Sequence, residues 1–131
     1  MTRGAAPDLE AIRSIAQRTV DALPAPFAAL ARDVRLVVED WPADALLDEM
    51  EISDAYDLTG LYEGEALTER SADWPSPPST VTLFRRPILD EWADRGDVTL
   101  SELVAHVTVH EFAHHFGWSD DDIAAIDRWW E

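Results

Sequence analysis

Residues 110–114 read His-Glu-Phe-Ala-His. Two histidines four apart on a helix project from one face, one turn apart, so both imidazoles can meet a single metal ion. A glutamate beside the first histidine can reach water at that ion and act as a general base. The pattern extends as His110-Glu111-x-x-His114-x-x-Gly117-x-x-Asp120. A glycine after the second histidine lets the chain reverse, which would bring residue 120 back toward the ion. Seventeen residues follow His114, and the only glutamate among them is Glu131. A third ligand downstream is therefore expected from Asp120, Asp121, Asp122 or Asp127, unless Glu131 supplies it. Asp120 is the one placed just after the turn. The plainer readings are a buried helix with incidental histidines and, for the aspartates, a helix start favoured by the macrodipole. Asp121 and Asp122 suit that second reading best.

His106 lies one turn before His110 on the same stripe. It starts ~6 Å further along the helix axis, so a supporting or packing role is expected. His115 points away from the bisector of the pair and is expected to bond a neighbour or face solvent. A further donor to a developing oxyanion could come from Tyr56, Tyr62, Arg85 or Arg86; the sequence does not choose among them.

These groups need a frame. Thr99-x-x-Glu102 is a capping-box pattern, and the apolar run behind it reaches Phe116, where Gly117 can close the helix. Leu103, Val104, Val107, Val109, Phe112 and Phe116 almost surround that helix, which predicts burial. Ser119-x-x-Asp122 predicts another helix, through Ile123, Ile126, Trp129 and Trp130. At the front, Leu9, Ile12, Ile15, Ala16, Val20 and Leu23 give residues 8–23 a helical stripe. Pro24 and Pro26 end it, and 27–30 can restart a turn. Residues 34–39 and 80–86 predict strands, 58–63 a short strand or extended loop, and 42–50 a short helix. Pro87 suggests that the 80–86 strand lies near a sheet edge, where an extended peptide could pair with it. Residues 88–93 predict one or two helical turns, and the proline-rich 68–79 a loop.

The chain has 131 residues, enough for one domain over 1–131 with a real core. Its 27 acidic residues face 10 basic ones, all arginine, for a net charge of -17. Such a field disfavours nucleic acid and anionic membranes. No lysine rules out P-loop and Schiff-base chemistry; no cysteine rules out disulfides, thiolate nucleophiles and iron–sulfur clusters. The polar N-terminus does not read as a secretory signal, and no apolar run could span a membrane, so a cytoplasmic protein is expected. Residues 39–69 hold eleven acidic residues. That stretch reads as a solvated face, or as a surface for cationic segments of a partner. The six scattered tryptophans read as core and rim packing, with Trp118 placed to wall the metal site.

The stretch HEFAHHFGWSD resembles the signature of the small bacterial zincin-like metallopeptidases, a minimal zincin-fold family. The Gly-Leu-Tyr-Glu-Gly run at 60–64, the strand at 80–86 and the overall length are also similar. The resemblance implies an α+β fold, with a small mixed sheet packed on helices around a central HExxH helix. It also implies Zn2+ held by His110, His114 and Asp120, with Glu111 as the base that hydrolyses peptide bonds. Metzincins share the HExxHxxGxx core, but their Met-turn is missing: the only methionines are Met1 and Met50. The substrate would be a peptide or protein. The competing expectation is a non-catalytic metal-binding module that binds a protein partner through its acidic surface.

Overall fold

A computed structural model of the chain describes residues 6–69, 78–118 and 121. The described residues form five α-helices and a three-stranded mixed sheet. The α+β architecture with a central HExxH helix is as the sequence resemblance implied.

Helix α1 spans Leu9–Asp21. Asp8 caps it by accepting the Ala11 N–H at 2.8 Å, and Ile12, Ala16 and Val20 form its buried stripe. The short α2, Phe27–Leu30, follows the proline break. Strand β1 is Val34–Glu39, α3 is Asp44–Glu49 and β2 is Gly60–Glu63. Strand β3 is Ser79–Phe84, α4 is Arg85–Arg95 and α5 is Leu100–Phe116.

The sheet order is β1-β3-β2, with β1 parallel and β2 antiparallel to β3. The placement of β3 corrects one expectation. It is the central strand, not an edge, so no added peptide can pair with it. Pro87 misled because it lies beyond the strand, in the first turn of α4, where a helix has no use for its N–H. That position also explains why α4 runs longer than the one or two turns expected. Being central, β3 is buried on both faces, and five of its six residues are buried.

Two apolar clusters result. The main core joins α1, β1, β3, α4 and α5 through residues such as Ile12, Val34, Leu83, Ile88, Val104 and Phe112. The smaller one joins Leu47, Leu58 and Phe84, with Leu46, Ile52, Ala55 and Leu61 packed against them. The acid-rich stretch thus carries its own apolar ridge. The helix expected after Ser119 lies outside the described residues, apart from Asp121.

Candidate active site

Helix α5 is built to be rigid. The Thr99 hydroxyl accepts the Glu102 N–H at 3.0 Å, and the Glu102 carboxylate accepts the Thr99 N–H at 3.2 Å, so both halves of the capping box are made. At the other end Gly117 takes φ +74°, the left-handed cap that its lack of Cβ permits. A Cβ there would also run into the Thr68 side chain, so the turn after the histidines lies tight against segment 67–69. Nine residues of α5 are buried. This helix packs on α1 and on strands β2 and β3.

His110, Glu111 and His114 sit on the remaining, accessible face. His110 and Glu111 are half-buried and His114 is exposed. Two clefts meet at Glu111. The smaller, about 200 Å³, is lined by Thr59, Glu91, Arg95, His106, Val107, His110 and Glu111. The larger, about 450 Å³, runs along β2 and is lined by Gly60, Leu61, Tyr62, Gly64, Met50, Ala66, Glu111 and His114. The motif therefore borders a groove whose other wall is an edge strand.

Gly60 makes that approach possible. A Cβ at position 60 would lie 3.0 Å from both Glu111 Cγ and Val107 Cγ1. Strand β2 is also tied to the helix by a hydrogen bond. The Tyr62 hydroxyl donates to the Glu65 carbonyl at 3.2 Å and lies 3.1 Å from Ser79 Oγ and 2.8 Å from His115 Nδ1. His115 is wholly buried, so of the two expectations for it the neighbour-bonding one applies. His106 packs edge-on against His110, with ring centroids 4.4 Å apart.

Burial pushes the Glu111 carboxyl above the ordinary carboxylate range, against the opposing pull of His114 and of the Tyr62 N–H. The His106 imidazole is held below its usual value by burial and then by Arg95, while Glu91 pulls the other way.

Of the candidate donors, Tyr62 and Arg85 are hydrogen-bonded and Tyr56 and Arg86 pack on Trp41. The Tyr62 hydroxyl is held in its network, and Arg85 bonds Asp40 at 2.6 Å and the Pro7 carbonyl at 2.9 Å. Arg86 lies over the Trp41 ring, against which Tyr56 also packs. Trp118 packs on Phe27 and Phe116, joining the main core and lining neither cleft. Asp120 lies outside the described residues. Among the described residues, no three metal-binding side chains gather at one point. His110 lines the smaller cleft and His114 the larger; two imidazoles one turn apart, with a carboxylate next to the first, are the donor types that zinc takes.

A family model for zincin-like metallopeptidases matches residues 31–130. The chain belongs to this family. No curated protein matches it. The match covers β1 through α5 and so takes in both the edge strand and the helix of this zincin-like chain. Two of its features were hidden in the sequence. Gly60 read only as a flank of an extended segment, although a glycine within a strand can signal close approach of another element. The Tyr62–His115 contact joins residues 53 apart, and no local pattern reports it.

Proposed function

We propose that this protein is a zinc-dependent peptidase whose site is centred on Glu111. The observation that carries this reading is the position of Glu111, one residue after His110 on α5, where it lines both the cleft that takes in His110 and the cleft that takes in His114 beside an edge strand. His110 and His114 would hold the metal, with Asp120 as the third ligand. Zinc, when bound, supplies a Lewis acid that makes water acidic near neutrality and polarises the scissile carbonyl.

The remaining chemistry belongs to the chain. Glu111 takes a proton from the attacking water and passes it to the leaving amine nitrogen. A carboxyl with raised proton affinity suits both transfers better than an ordinary one. Gly60 sets the gap between strand and carboxylate. The free edge of β2, and not β3, is the element on which an extended peptide would lie, joined to the sheet by main-chain hydrogen bonds.

The test is cleavage of a broad peptide library by the metal-loaded protein and by Glu111→Gln. Loss of about 10²–10⁴-fold in rate with metal content unchanged supports the assignment, since that is the usual contribution of a general base. A metal-loaded wild type that cleaves nothing removes it and favours the non-catalytic module.

A further inference from the structure

The sheet has two edges. One, β2, borders the candidate active site; the other, β1, lies at the opposite end of the strand order. Strand β1 pairs only with β3 among the described residues, which leaves its second row of main-chain donors and acceptors unmatched. A cleft of about 540 Å³ runs along this edge, lined by Val34, Arg35, Leu36, Val37 and Val38 of the strand and by Arg13 and Gln17 of α1. Six extended residues are enough to take a full added strand.

The charge of this cleft runs against that of the chain. Acidic residues outnumber basic ones 27 to 10 overall, yet the lining holds two arginines and no acid. Both guanidiniums are exposed, one on the helix and one on the strand. Among the described residues neither makes an ion pair or hydrogen bond, whereas Arg85 and Arg95 are both paired. Two unpaired arginines beside an open strand edge are complementary to an acidic chain in extended conformation. Leu36 and Val38 pack on the main core, which fixes the strand that would receive it.

We infer that the β1 edge, flanked by Arg13 and Arg35, docks an extended acidic segment of a partner protein by strand addition. Main-chain pairing along 34–39 supplies the affinity, and the two guanidiniums select glutamate or aspartate side chains. The docked segment would lie across the sheet from the candidate active site. This inference does not depend on the peptidase assignment.

The probe is a fluorescein-labelled ten-residue peptide of alternating valine and threonine with three interspersed glutamates, and its counterpart with lysine in their place. Anisotropy with the full chain should show binding of the acidic peptide, with the lysine peptide about tenfold weaker or worse. Arg13→Glu/Arg35→Glu should weaken the acidic peptide by about tenfold, as expected for two surface contacts turned repulsive. Should that double variant misfold by circular dichroism, Arg13→Gln/Arg35→Gln carries the same comparison. The acidic peptide should also slow amide exchange at residues 34–39. Equal binding of the two peptides, undiminished binding to the arginine variants, or no binding overturns the inference. So does concentration-dependent dimerisation that protects 34–39, because the occupant would then be a second copy.

Discussion

The Tyr62 hydroxyl lies 2.8 Å from Nδ1 of His115, so the strand walling the larger cleft is fastened to the residue next to His114. The hydroxyl also reaches Ser79 on the central strand. Tyr62→Phe keeps the ring and leaves these partners without the hydroxyl. Stability should fall by about 1–3 kcal/mol, the cost of a lost hydrogen bond in a buried network. Urea unfolding measures it. A change near zero would show that the contact does not hold strand and helix together.

Gly60→Ala tests the spacing between strand and carboxylate. The added methyl meets Glu111 Cγ and Val107 Cγ1 at 3.0 Å, so the carboxylate must shift or the strand must lift. Peptide cleavage should fall about 10²-fold if Glu111 moves by about 1 Å, with zinc affinity little changed. Wild-type turnover in the variant would remove Gly60 from the site.

The buried Glu111 carboxyl gives the metal-free protein a distinct pH profile. Its folded value is raised above the usual 4.5 by burial. A raised carboxyl contributes stability that is full below the unfolded value and is lost as pH rises through the folded one. In chelator, Glu111→Gln should therefore be more stable than wild type at neutral pH, with the gap closing as pH falls toward 4.5. Thermal unfolding of both proteins across pH 4 to 8 reads the difference. A variant that is less stable at pH 7 contradicts the sign.

Zinc should stabilise the folded chain by mass action, by about 2.7 kcal/mol at a hundredfold excess over Kd. His110→Ala and His114→Ala should each abolish the shift in Tm, and Asp120→Ala should weaken it. A full shift in Asp120→Ala would move the third ligand elsewhere.

Gly117→Ala forces a left-handed residue to carry a Cβ and drives that Cβ against Thr68. The backbone conformation alone costs about 1–2 kcal/mol. Urea midpoints should fall at least correspondingly. The zinc-induced rise in Tm should also shrink, because the turn leading to Asp120 is displaced.

What could be read from residues alone was what repeats locally. The capping box at Thr99, the glycine cap at 117 and the stripe of Ile12, Ala16 and Val20 each follow from contacts within a few residues, and each is present. The histidine pair was legible for the same reason: four residues on a helix is a distance. Sheet order was not. Whether β3 is central depends on β1 and β2 arriving on its two sides, and Pro87 gave a local cue that the start of α4 had already absorbed. Gly60 and the Tyr62–His115 contact depend on long-range placement of β2 against α5. Their chemistry is written in residue types, but their partners are not.

Successive residues of β2 belong to different cores: Leu61 packs with Leu47, Leu58 and Phe84, while Tyr62 packs with the main cluster. A slip of one residue would send the tyrosine into the small cluster and the leucine into the large one. It would also replace Gly60 with a bulky side chain where the strand crosses Glu111. The register of the cleft wall is thus locked by two oil drops of unequal size, not by a turn. A substitution at Leu61 or Tyr62 therefore loosens the grip of one cluster on the strand, and with it the alignment of Gly60 with Glu111.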